Sequence, residues 1–148
     1  MNVITTLKEK RREKQIKYER IVLRDISIGN MKKRVQEFFA EDKTFGVAFS
    51  QVLEEGCFDV AVESYLLGAN FSKFGYHGEP IEAVKHRCLS EEKHLIDTLF
   101  NFILYWGKVA DNDLYNESLY YRCERFVETW WKEGYENGER RYKMRLLH

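Results

Sequence analysis

Apolar residues recur along the chain at i, i+3, i+4 and i+7, and no stretch sustains the period-two alternation of a half-buried strand. The pattern predicts an all-α protein, a single-domain helical bundle of about five to six helices across residues 1–148. A first helix is expected over about Asn2 to Asp25, with Val3, Ile4 and Leu7 at one end and Ile16, Ile21, Val22 and Leu23 at the other. Between these groups Lys8 to Gln15 is polar throughout, so this part lies on the surface or projects. Gly29 marks a break within Ser27 to Asn30, after which Met31, Val35, Phe38 and Phe39 share one face of a short second helix. Thr44 opens a third helix bearing Phe45, Phe49, Val52 and Leu53, which Gly56 is placed to end. Asp59 caps a fourth, with Ala61, Tyr65, Ala69 and Ser72 on its face and Gly75 at its end.

Pro80 suits the first position of the next helix, where its missing N–H leaves no bond unmade. From there Ile81, Val84, Cys88, Leu95, Leu99, Phe102 and Trp106 stay in phase, which predicts a long central helix over about 80–107. At about 100° per residue Glu92 falls in the middle of that stripe. A buried carboxylate must be paired or protonated, and Arg122 and Arg125 on the last helix are its candidate partners. A kink at Ser90 that turns Glu92 outward is the alternative. The last helix starts near Asn116 with Leu119, Cys123, Phe126, Val127 and Trp130 inward, and Gly134 and Gly138 either end it or allow a close crossing. Trp130, Trp131 and Tyr135 cover more than one face, so the core is thick here or the cluster is partly exposed as an interface anchor.

Composition narrows the class. With 44% hydrophobic residues, 10 Phe, 9 Tyr and 3 Trp, the chain has ample material for one core and is not a disordered sequence. The most apolar run, Leu95 to Trp106, is interrupted by Asp97 and Asn101 and falls short of the roughly 20 residues needed to cross a bilayer. The amino terminus has no secretory apolar region, so a soluble cytoplasmic protein is expected. Cys57, Cys88 and Cys123 are odd in number and widely spaced among apolar positions, as buried free thiols are.

Charge changes the picture further. The 24 Lys and Arg balance 24 Asp and Glu, yet residues 1–34 carry +7, residues 35–131 carry −9 and residues 132–148 carry +2. The basic first helix, including Lys10, Arg11 and Arg12, offers a contact for nucleic acid, an anionic membrane surface or an acidic protein. Packing along the acidic centre of its own fold or of a second protomer is the preferred reading. A protein partner or homo-oligomer is therefore expected, with nucleic acid possible but not favoured.

Signals of catalysis are sparse. Arg87 and His94, seven residues apart, would lie on one face of a continuous helix, and Arg-x6-His resembles the motif of the all-α HEPN ribonucleases. That resemblance implies His94 as acid/base and Arg87 as phosphate binder, although Cys88 stands where a polar residue normally follows the arginine. A solvated helix face is the plainer account. Glu91-x-x-His94 is half of a di-iron signature, and no second Glu-x-x-His exists, so no metal site and no cofactor is expected.

Three segments, FDVAVESYLLGANFSKFG from Phe58, EEKHLIDTLFNFILYW from Glu91 and WWKEGYENGERRYKMRLL from Trp130, carry a resemblance across nearly the whole chain. The chain resembles a small family of uncharacterised proteins from Bacillus-type Firmicutes. The resemblance implies a bacterial cytoplasmic protein and transfers no site residues. A helical interaction or regulatory module is thus the leading expectation, with a HEPN-like ribonuclease acting through Arg87 and His94 as the alternative.

Overall fold

Ser27 has extended backbone and its hydroxyl accepts from the Asn30 amide at 3.0 Å, so it caps the second helix, and the expected break over Ser27 to Asn30 lies earlier, with Gly29 inside that helix. Residues 3–40, 51–106 and 113–146 are described by the computed structural model, and among them lie six α-helices and no strand. These are α1 (Val3–Leu23), α2 (Ile28–Val35), α3 (Gln51–Tyr76), α4 (Ile81–Arg87), α5 (Leu89–Trp106) and α6 (Asp113–Leu146). A π-helical turn, Gln36–Ala40, extends α2 and delivers Phe39 to the core. Thr44, Phe45 and Phe49 lie outside the described residues.

Several boundaries differ from the periodicity reading, each for a physical reason. Gly56 and Asp59 do not separate two helices, because α3 runs unbroken for 26 residues. Gly56 is there for close packing: a Cβ on it would overlap the ring of Phe102 on α5. Nor does Gly75 end α3. The stop is Gly78, at φ +104, where the Glu79 amide bonds back to the Phe74 carbonyl at 3.1 Å and the Gly78 amide to Gly75 at 3.0 Å. Pro80 is the N-cap of α4, one residue before its expected place, and its carbonyl accepts from the Ala83 and Val84 amides.

The expected long helix over 80–107 is two helices meeting at Cys88, whose backbone sits at φ −110, ψ 20. Lys85, His86 and Arg87 crowd the last turn of α4, while Glu91 and Glu92 occupy the first turn of α5. Each set of charges complements the helix end that it occupies, which favours a break between them. The long central helix of the fold is α3, packed principally on α6 and also on α5.

Helices α3 and α6 touch backbone to backbone. A Cβ on Gly68 would fall on the Trp131 carbonyl, and one on Gly134 would fall on the Tyr65 carbonyl. The expected close crossing at Gly134 and Gly138 is therefore present, and α6 continues through both. Leu53, Cys57, Ala61, Leu99, Ile103, Cys123, Phe126 and Val127 fill the interior around this crossing, each at most 1% exposed. A fully buried Leu or Phe contributes about 1.5–3 kcal/mol relative to exposure. Trp130, Trp131 and Tyr135 are core residues at 2%, 0% and 5% exposure, which corrects their assignment as an interface. They cover several faces of α6 because α6 is enclosed by other elements along this stretch. No helix among the described residues is long and apolar enough to cross a membrane.

Candidate functional site: a basic groove along the first helix

Helix α1 is held by its second half. The Gln15 side chain donates to Asn70 at 3.0 Å, the Tyr18 hydroxyl donates to the Ala69 carbonyl at 3.2 Å, and Val22 is buried. Arg141 near the end of α6 clamps the other side, donating to the Ile21 carbonyl at 3.3 Å and to Asp25 at 2.5 Å. These contacts run α1 against the carboxyl-terminal half of α3, which belongs to the −9 segment of residues 35–131, and Glu19 of α1 shares a groove with Glu63 of α3. The basic helix therefore packs on the acidic body of its own fold, through Gln15 and Tyr18 rather than through its basic side chains. Lys8, Lys10, Arg11, Arg12 and Lys14 stay exposed.

The docking of α1 leaves an open groove of ≈ 870 Å³ between it, the end of α3 and the end of α6. Arg11, Lys14 and Lys17 enter it from α1, Lys73 from α3 and Arg145 from α6, and no acidic residue lines it. None of these five cations forms an ion pair among the described residues. Tyr18, Phe71, Phe74 and Tyr142 form the floor. Burial pushes the Tyr18 hydroxyl above its ordinary value, so it remains a neutral donor to the Ala69 carbonyl. Two of these rings have a face engaged within the fold. Tyr142 stacks on Tyr76 at 5.6 Å and 22°, and the Arg87 guanidinium lies 4.1 Å over Phe74.

Of the residues singled out in the sequence, Arg11 lines this groove, while Lys10 and Arg12 stand exposed on α1 outside its lining. Lys14, Lys17, Lys73, Arg145 and Tyr142 were not singled out. Lys14, Lys17 and Tyr18 follow i, i+3, i+4 spacing on one face of α1 and were open to discovery; Lys73 and Arg145 join them only through the tertiary fold.

The break at Cys88 puts Arg87 and His94 on different helices and in different surroundings. Arg87 Nε and Nη2 donate to the two Glu79 oxygens at 2.8 and 2.5 Å, and this bond holds the Glu79 carboxyl below its usual range. His94 is exposed and lines a second groove with Glu19, Glu63 and Glu91, to which Arg87 does not contribute. A phosphate would have to displace Glu79 at one residue and meet carboxylates at the other, and within this single chain the two side chains do not line one groove.

Glu92 is buried, and Cys88, rather than Ser90, is where the chain bends. Its partner is Lys85, at 3.7 Å, which also reaches Glu128 at 3.3 Å. Arg122 and Arg125 are not its partners: Arg122 Nη1 donates to the Phe38 carbonyl at 2.9 Å, and the exposed Arg125 lies 3.7 Å from Glu128. Burial raises the Glu92 pKa, with Lys85 acting in the opposite direction. Among the described residues no three His, Cys, Asp or Glu side chains are placed to hold a metal ion.

The chain matches a family described as "Protein of unknown function (DUF2521)" over residues 1–147. It is 26% identical over 146 residues to "Uncharacterized protein YbaK" of Bacillus subtilis (strain 168), a match covering 99% of each chain. No solved structure matches it. With the family match extending over residues 1–147, the chain belongs to the DUF2521 family.

Proposed function

We propose that this protein is a protein-binding module whose basic groove takes an acidic, amphipathic segment of a different chain. One observation carries the reading: folding gathers Arg11, Lys14, Lys17, Lys73 and Arg145 around one groove and supplies no acidic residue to its lining. Like charges gathered without a counter-charge repel, and an anionic ligand relieves that repulsion while gaining affinity and association rate.

The surroundings select the class of anion. A long nucleic acid would run from the groove onto a body that carries −9 over residues 35–131. Base stacking needs open ring faces, and Arg87 and Tyr76 each take one face of Phe74 and Tyr142. Ring edges, lysine stems and the exposed Ile21 suit the apolar side of a peptide instead. A second copy offering Glu55, Asp59 and Glu63 is the competing occupant, and the oligomeric state tells it from a partner of another kind.

The test is fluorescence anisotropy with a labelled short poly-glutamate peptide and a labelled single-stranded oligonucleotide. The peptide is expected to bind at low salt, to weaken as salt rises, and to be lost in the Lys14→Glu, Lys73→Glu double variant. Lys132→Glu, exposed on α6 outside the groove lining, leaves binding unchanged. Tighter binding of the oligonucleotide by the same groove would replace the reading with nucleic-acid recognition, and salt-sensitive dimerisation in light scattering would replace it with self-assembly.

A further inference from the structure

We infer that the groove's occupant is a helix carrying one large apolar residue among its carboxylates, and that this residue seats in a small cavity between α1 and α6. This inference rests on the groove being a binding site for an acidic segment. The cavity, of ≈ 250 Å³, is lined by Tyr18, Ile21, Arg141, Tyr142, Met144 and Arg145, and it shares Tyr18, Ile21, Tyr142 and Arg145 with the basic groove. It is therefore continuous with that groove. Its volume lies below the roughly 300–1,000 Å³ of sites that enclose a free small molecule, so it suits one side chain supplied by a larger ligand.

The walls specify that side chain. Ile21 is 41% exposed and Met144 59% exposed, both large apolar groups left uncovered beside a docked helix. Methionine is flexible and polarizable and adapts to an incoming apolar group. Arg141 lines the cavity with its charge engaged by Asp25 and the Ile21 carbonyl, and Arg145 lines it without an ion pair among the described residues, open to a carboxylate next to the anchor.

The face of α1 specifies the backbone form. Leu7, Arg11, Lys14, Tyr18 and Ile21 fall on one side of the helix at successive three- and four-residue steps. Over about four turns this face reads apolar, basic, basic, aromatic, apolar, and Leu7 is 52% exposed. A partner helix with the complementary order presents an anchor, then carboxylates, along the same direction. Helix-in-groove recognition uses this arrangement of anchors and flanking charge.

The experiment compares the labelled poly-glutamate peptide with the same peptide carrying a single central leucine. Burying a leucine side chain predicts that the leucine peptide binds roughly tenfold to a hundredfold more tightly. In the double variant Ile21→Asn, Met144→Gln the ratio of the two affinities falls to about one. Both positions are well exposed, and circular dichroism confirms that the variant is folded. If the two peptides bind the wild-type protein equally, or if the double variant keeps the preference for leucine, the anchor cavity is wrong while the basic groove stands. If neither peptide binds the wild type even at low salt, the groove reading falls and the anchor falls with it.

Discussion

Glu92 in the first turn of α5 takes its counter-charge from Lys85 in the last turn of α4, with 3.7 Å between carboxylate and ammonium across the Cys88 break. Lys85 is shared: it also reaches Glu128 and lies 5.5 Å over the Trp131 ring. Removing the lysine leaves a buried carboxylate with no cation, whereas removing the carboxylate's charge leaves the lysine paired with Glu128. Lys85→Met is therefore expected to destabilise by about 1–3 kcal/mol, reduced from the fully buried case because the lysine is partly exposed. Glu92→Gln should cost less than about 1 kcal/mol. Urea melts of both variants at neutral pH check the order.

The same carboxylate sets a pH dependence. Burial raises the Glu92 pKa above its ordinary 4.5, so the folded state holds this proton more tightly than the unfolded chain. Its contribution to stability is complete below the ordinary value and is lost as pH rises through the raised one. Glu92→Gln should flatten that part of the stability profile, making the wild type lose relative to the variant between acid and neutral pH. An unchanged slope in urea melts across that range would mean that Glu92 is solvated.

The backbone contact of α3 with α6 predicts opposite signs for one kind of substitution. Gly68→Ala and Gly134→Ala gain helix propensity of about 1 kcal/mol, but each places a methyl group on a carbonyl of the facing helix. The helices must part, and overpacking of about 1–3 kcal/mol or more outweighs the gain. Gly29→Ala meets nothing within 4 Å and should stabilise by about 0.5–1 kcal/mol. Thermal melts separate the two outcomes.

Much of this was legible in the residues, and what was not has identifiable causes. Helical periodicity gives the all-α class, the extent of α1 and the place of Glu92 on a buried stripe. Glycine misleads because it serves two purposes: Gly56, Gly68 and Gly134 admit a neighbour, while Gly78 supplies a positive φ, and only the tertiary fold tells these apart. The Cys88 break keeps the apolar stripe in phase and so escapes a periodicity argument. Its trace is the change from Lys85-His86-Arg87 to Glu91-Glu92. The basic groove was half visible, since α1 shows its charge in the sequence, whereas Lys73 and Arg145 come from the distant ends of α3 and α6.

Cysteine chemistry should be silent in the native state. Burial pushes the Cys57 thiol up to about 12 and Cys88 up to about 11, and raises Cys123 as well. Thiolate is then scarce near neutrality, and all three sulfurs are buried. Ellman's reagent should react slowly with the folded protein and with all three thiols once denaturant is added. Rapid native reaction at any one of them would show that the core opens locally at that residue.

The basic groove should weaken the fold that carries it. Five cations gathered without acidic partners repel in the free protein, so replacing one with an acid relieves strain while it removes affinity. Lys14 is the informative position, because it is exposed near the middle of α1, where the helix dipole contributes little. Lys14→Glu is expected to stabilise by a few tenths of a kcal/mol at low salt. The gain should vanish at about 1 M salt, where the screening length falls to about 3 Å. Lys132→Glu, four residues from both Glu128 and Glu136 in the sequence of α6, should show the opposite sign. Thermal melts of both variants at low and high salt decide the matter. A lower melting temperature for Lys14→Glu at low salt would mean that the cations of the groove are already balanced within the chain.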